Sequence, residues 1–179
     1  MTLHCAFIGF GKSTTRYHLP YVLNRKNSWH VAHIFRRNAR PEEQAPQYSH
    51  IHFTSDLDEI LNDPQVKLVI VCTHADSHFE YAKRALEAGK NVLVEKPFTM
   101  TAQQARDVFD AAERAHLFAM EAMWMRHLPH HHVLRAILAG GGLGAVHSVH
   151  ADHGQRLLDV PRLIRPELGG GAVLDLGVY

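Results

Sequence analysis

Over the first 122 residues, short apolar runs alternate with amphipathic or turn-like connectors, and this alternation limits the possible folds more than any other feature. The runs "LHCAFIG", "WHVAHIF", "IHFTS", "VKLVIVCTH", "NVLVEK" and "LFAMEAM" read as strands. Between them, "DSHFEYAKRALEAGK" puts Phe79, Ala82, Ala85 and Leu86 on one helical stripe, and "TAQQARDVFDAAERAH" opens on Thr101 as a cap. "STTRYHLPYVLNRK" is helical with a break expected at Pro20, and "RRNARPEEQAPQYSH" reads as a connection without a firm helix. "VKLVIVCTH" is almost wholly apolar, as a strand covered on both faces must be. Strands regularly alternating with helices predict an α/β fold, a Rossmann-type doubly wound parallel sheet over residues 1–122.

Beyond that point the pattern changes. "HLPHHHVLRAILAGG" predicts a helix after Pro129 with Val133, Leu134, Ile137 and Leu138 as its apolar face. "GLGAVHSVHADHG" reads as a turn and a strand, and "PELGGGAVLDLGVY" as a Gly-rich loop entering a helix. One strand with no sheet to join is poor folding logic. Residues 123–179 are therefore expected to begin a second domain that is cut short.

Composition removes several function classes. The 179 residues are 46% hydrophobic and 21% charged, with a formal net charge of +1 and no long basic run, so no nucleic-acid groove is expected. No run reaches membrane-spanning length, and "MTLHCAFIGF" lacks a basic leader or cleavage site, so no membrane partner is expected. Cys5 and Cys72 fall in apolar runs, which suits free buried thiols in a cytoplasmic protein. Of the 16 histidines, His130, His131 and His132 are consecutive and fan around a helix. On a strand His147 and His153 would stand about 20 Å apart. No metal site is expected.

Three stretches carry ligand chemistry. Gly9 and Gly11 stand between a strand and a helix; Gly9 suits a tight turn and Gly11 the close approach of a pyrophosphate to backbone. Lys12, Ser13 and Thr14 continue this candidate cofactor loop, with Thr14 where Gly or Ala would pack closest. A plain structural turn is the competing reading. The second strand ends in "IFRRN", with no carboxylate for a ribose 2′-hydroxyl. Arg36 and Arg37 would instead meet a 2′-phosphate, or form an ordinary solvated basic loop. The balance favours NADP, with NAD as the alternative. In "NVLVEKPF", Pro97 ends the sheet ladder. Glu95 and Lys96 then sit at a strand's carboxyl end, where open α/β sheets bind ligands. Strand alternation turns Glu95 away from Lys96 and gives it a structural or cofactor-positioning role. If "AVLDLGVY" starts a helix, Asp175 and Tyr179 share a face at i and i+4; a capping Asp and a core Tyr are the alternative.

With "AFIGFGKST", "VCTHADSHFEYA", "EAGKNVLVEKPF", "MEAMWMRHLP" and "GGGAVLDLGVY" together, the whole chain resembles the Gfo/Idh/MocA family of NAD(P)-dependent oxidoreductases. The first half looks most like an uncharacterised enterobacterial branch, and the later part is similar to the dihydrodiol dehydrogenases. The resemblance implies that Lys96 is catalytic and that the Lys96–Pro97 bond is cis. It places Thr73, His74 and His78 with Glu95, Lys96 and Pro97 on the cofactor side, although His74 and Ala75 replace the family's Pro-Asn. It implies that Asp175 orients Lys96 and that Tyr179, where most members have His, exchanges a proton with a substrate hydroxyl. Trp124 resembles a substrate-pocket aromatic, with a packed junction residue as the alternative; Arg162 would meet a polar substrate or solvent. The implied second domain is α+β, an open mixed sheet that walls the substrate site and mediates homo-oligomer formation in the full-length protein. The implied reaction moves hydride between a sugar, polyol or dihydrodiol and nicotinamide. A dinucleotide-sensing or scaffold protein without turnover is the rival.

Overall fold

A computed structural model describes residues 2–179 and divides the chain into two units, one ending at Glu121 and one beginning at Ala122. The first unit holds six strands: β1 (Leu3–Ile8), β2 (Trp29–Phe35), β3 (His52–Thr54), β4 (Val66–Val71), β5 (Asn91–Val94) and β6 (Ala119–Glu121). All pair in parallel, in the order β3-β2-β1-β4-β5-β6. This is the doubly wound order whose reversal, between β1 and β4, opens a ligand crevice at the strands' carboxyl ends.

The central strands are apolar because both their faces are covered. Cys5, Ala6, Phe7 and Ile8 of β1 are all fully buried. Side chains on a strand alternate, so Ala6 and Ile8 join Val69, Val71, Val92 and Val94 on one face. There they meet α3 (Ala75–Glu87) through Ala82, Ala85 and Leu86, and α4 (Ala102–Arg114) through Val108 and Ala112. Cys5 and Phe7 join Ile34, Leu68 and Ile70 on the other face against Leu19. Each large buried side chain contributes about 1.5–3 kcal/mol relative to exposure. Thr101 caps α4 as expected, its hydroxyl accepting a hydrogen bond from the Gln104 N–H at 3.2 Å. Gly89, at φ +74°, terminates α3 in the left-handed conformation.

Near Pro20 the first helix widens rather than breaks. Residues Thr14–His18 form a π turn in which Leu19 N–H reaches back to Thr14 O, and α1 (Leu19–Leu23) continues from it. Pro20 has no N–H to give the ladder, and the wider turn absorbs that loss. The connection after β2 forms two 3-10 turns, Pro41–Gln44 and Pro46–Tyr48; between β3 and β4 lies α2 (Asp58–Leu61).

The second unit contains α5 (Pro129–Ala139), α6 (Ala172–Asp175) and three short 3-10 turns, with no strand among its described residues. The helix expected after Pro129 forms, but Val133, Leu134, Ile137 and Leu138 are 44–58% exposed. The strand expected in "GLGAVHSVHADHG" does not form, nor does an open mixed sheet. A strand's N–H and C=O groups need a neighbouring ladder, and residues 132–156 are exposed throughout. The expected i, i+4 helical pairing of Asp175 and Tyr179 also fails. Helix α6 stops at Asp175, where Gly177 N–H turns back to Ala172 O at 2.8 Å. A Cβ at Gly177 would meet Val173 O at 2.7 Å. No helix among the described residues is long and apolar enough to cross a membrane.

Candidate active site

The loop after β1 is shaped by contact with β4. Gly9 has φ +107°, and a Cβ there would stand 2.7 Å from the Cys72 carbonyl oxygen. Only glycine fits. Gly11 differs, since a Cβ built on it meets nothing within 4 Å. Its backbone borders open space where the helix begins at Lys12, and there the first N–H groups suit an anion. Lys12 is exposed, whereas Thr14 is fully buried and donates its hydroxyl to Gly9 O at 2.7 Å. Thr14 thus pins the glycine turn from beneath, a task that Gly or Ala could not perform. These features fit a dinucleotide's pyrophosphate.

Glu95 follows β5, and its backbone N–H continues the ladder to Val71 O at 2.9 Å. Its carboxylate accepts from His18 Nε2 at 2.7 Å and from the Lys96 backbone N–H at 3.1 Å. Burial pushes the Glu95 carboxyl up, but its hydrogen bonds and the nearby His18 ring outweigh that effect and hold it below the ordinary range. The Ser13 hydroxyl lies near the same carboxylate, yet outside hydrogen-bonding geometry with any group. Glu95 therefore ties the helix after the glycine loop to the strand end that carries Lys96.

The Lys96–Pro97 peptide is cis. Behind it, His78 is 1% exposed, with Nδ1 2.9 Å from Pro97 O and Nε2 3.2 Å from Thr73 O. Burial drives the His78 pKa down against the opposing pull of both carbonyls. The ring links the loops after β4 and β5 and points into protein. Phe98 N–H donates to Glu121 at 2.8 Å, anchoring the same loop to β6. Thr73 receives the Ser77 hydroxyl at 2.8 Å, while His74 is exposed at the start of α3.

At the end of β2 the two arginines separate. Arg37 is exposed, while Arg36 makes a two-point ion pair with Glu43, at 2.8 and 3.2 Å. Glu43 also accepts the Arg40 backbone N–H at 2.8 Å. A carboxylate does stand in this region, but it comes from the following connection.

In the second unit, Trp124 Nε1–H donates to the Tyr179 hydroxyl at 3.3 Å, and His153 stacks on Tyr179 with ring centroids 5.4 Å apart. Asp175 is buried and lies 3.6 Å from Arg162. The expected pocket aromatic thus meets Tyr179, and Arg162 meets a carboxylate. Lys96 belongs to the first unit, Asp175 and Tyr179 to the second. His18, Glu43 and His153 were not among the expected site residues. His18 pairs across 77 positions, which no local spacing announces; the Arg-x₆-Glu spacing of Arg36 and Glu43 was the one available clue.

Known proteins match both units. The model of an oxidoreductase family with an NAD-binding Rossmann fold matches residues 3–123, and that of the GFO/IDH/MocA C-terminal domain matches residues 131–179. The uncharacterized oxidoreductase YhhX of Escherichia coli is 83% identical over 113 residues, 63% of this chain and 33% of YhhX. The crystal structure of a probable oxidoreductase yhhX superposes with a TM-score of 0.79 at 55% identity, covering 99% of this chain and 51% of that one. The D-xylose 1-dehydrogenase (NADP(+)) of Hypocrea jecorina is 45% identical over 131 residues, 68% of this chain and 34% of that protein. The trans-1,2-dihydrobenzene-1,2-diol dehydrogenase of Danio rerio is 36% identical over 149 residues, 83% of this chain and 45% of that protein. The chain spans about half or less of the length of these relatives. By the match of its Rossmann unit and of the unit that follows, the chain belongs to the Gfo/Idh/MocA family of oxidoreductases.

Proposed function

We propose that the chain forms the cofactor-binding part and the start of the substrate domain of an enzyme that moves hydride between a secondary alcohol and nicotinamide, with NADP preferred. The alcohol class is a sugar, polyol or dihydrodiol, since relatives are named for D-xylose and for a dihydrobenzenediol. One observation carries the reading. The open glycine turn after β1 and the Glu95–Lys96–Pro97 segment after β5 leave the same carboxyl end of one sheet and are joined by the His18–Glu95 bond.

Nicotinamide, when bound, supplies the carbon that takes or gives the hydride. The chain's own groups handle the proton and the oxygen charge. Lys96 stabilises negative charge developing on the alcohol oxygen. Tyr179 takes the hydroxyl proton during oxidation and returns it during reduction. Asp175 is assigned the role of orienting Lys96 for that task. His78 and Glu95 position the Lys96 segment without touching substrate. Arg36 and Arg37 provide charge for a 2′-phosphate, and Trp124 supplies an apolar wall to the alcohol. The reading takes the whole protein as a cytoplasmic homo-oligomer, consistent with two free buried thiols and the uncovered apolar face of α5.

The test is Lys96→Met in the full-length protein. Turnover of a polyol or dihydrodiol should fall by about 10²–10⁴-fold while NADPH binding, followed by fluorescence, stays within about twofold. Unchanged turnover in the variant removes Lys96 from the mechanism. Tight dinucleotide binding with no turnover in the wild type, across xylose, inositols and dihydrodiols, would instead support the sensing role.

A further inference from the structure

We propose that His33, His52 and Glu59 form a binding site for a divalent transition metal of the zinc class at the β2–β3 edge of the sheet, with Asp63 as its supporting carboxylate. Each of the three residues offers one donor atom, and these atoms lie within 4.8 Å of one another. The topology explains the grouping. His33 on β2 and His52 on β3 are register partners in a parallel pair, so their side chains leave the same face, and their rings meet edge to face with centroids 5.4 Å apart. Helix α2 then brings Glu59 to 2.7 Å from His52 Nε2.

The state of His33 distinguishes this group from a chance surface pair. Its Nε2 is 2.8 Å from Asp63 Oδ2, while its Nδ1 is shielded and has no hydrogen-bond partner. A carboxylate on one imidazole nitrogen, with the other lone pair unused, is how metal-binding histidines are oriented and made more basic. Asp63 is itself fixed, accepting the Gln65 backbone N–H at 2.8 Å.

Two imidazoles and a carboxylate are a nitrogen–oxygen set that suits zinc, nickel or copper more than magnesium or calcium. Metal–ligand bonds of about 2.0–2.1 Å place tetrahedral donors roughly 3.3 Å apart. The present spread therefore has to close by about an ångström or more. His52 and Glu59 can make that movement, with side chains 58% and 44% exposed. Three protein ligands would leave a fourth position for water. The bound ion would clip together a three-residue edge strand, its neighbour and a one-turn helix. This site is independent of the hydride-transfer reading.

The test uses the untagged 179-residue chain, stripped with a chelator and titrated with Zn²⁺ against a chromophoric competitor. A parallel titration with Co²⁺ reports geometry through visible absorption. One equivalent should bind with an intense tetrahedral Co²⁺ spectrum, and Zn²⁺ should raise the thermal midpoint. His52→Ala and Asp63→Asn should each weaken binding by about 10–100-fold. His132→Ala, in the exposed histidine run on α5, should leave that equivalent unchanged. Circular dichroism checks that the variants are folded, and Glu59→Gln gives a second exposed ligand change. The proposal fails if His52→Ala and Glu59→Gln bind Zn²⁺ as the wild type does. It fails equally if His132→Ala removes the equivalent, or if the Co²⁺ spectrum is only that of the hydrated ion.

Discussion

Replacing His78 by Leu tests the structural support behind Lys96. The ring is 1% exposed between the carbonyls of Pro97 and Thr73. A neutral imidazole has one N–H and can serve one of them fully, and the shorter contact, 2.9 Å, assigns it to Pro97 O. Leucine fills most of the volume but leaves that buried carbonyl unserved, which costs about 1–3 kcal/mol. Against a domain stability of about 5–15 kcal/mol, urea unfolding can resolve this at about pH 8.

The sign of its pH dependence provides a second check. Burial holds the folded His78 pKa below its ordinary value, so below about pH 6.5 the unfolded chain takes up a proton that the native ring resists. His78 therefore contributes stability that is fully present above its unfolded pKa and lost as pH falls toward its folded one. Contributions common to both proteins cancel in the difference. The stability gap between wild type and His78→Leu should then narrow between about pH 8 and pH 5.5, by at most about 1.4 kcal/mol per pH unit. An unchanged midpoint at pH 8 refutes the hydrogen-bond account. A gap that widens on acidification shows that His78 is charged in the fold and reverses the assignment.

Other predictions follow from the same contacts. Gly9→Ala should lower stability by at least about 2 kcal/mol, because it adds backbone strain and drives a methyl into the Cys72 carbonyl; thermal melting checks this. Gly11→Ala should leave the melt within about 1 kcal/mol yet weaken NADPH binding about tenfold or more, because its methyl enters the space taken for the pyrophosphate. Glu43→Gln should release Arg36 and raise the NADPH-to-NADH affinity ratio roughly 3–10-fold in parallel fluorescence titrations; an unchanged ratio would separate Arg36 from the 2′-phosphate.

The Rossmann unit was legible in the sequence because its signals are local. Apolar runs have the length of strands, Thr101 caps a helix, Gly89 ends one, and Pro97 stops a ladder. Each follows from backbone chemistry within a few residues, so six strands and their carboxyl-end ligand side could be read before any contact was known. Glycine at position 9 was legible as a turn, but the reason for it, the carbonyl of Cys72, lies 63 positions away. The second unit was less legible. "GLGAVHSVHADHG" has strand-like composition, yet a strand is a property of a ladder, and no partner strand stands among the described residues of that unit.

Electrostatic partners were the least visible, because their meeting depends on how separate elements stack. Arg36 reads as a phosphate ligand from its position after β2, and only the course of the next connection brings Glu43 against it. His18 meets Glu95 because the helix after β1 lies across the end of β5. His33 and His52 are scattered residues in the sequence and side-by-side register partners in the sheet. Amino-acid order alone determined the strands of the Rossmann unit, its parallel sheet and the strand ends where chemistry could occur. Tertiary structure decided which charges are paired, because a side chain's partner is set by strand order and helix placement rather than by its neighbours along the chain.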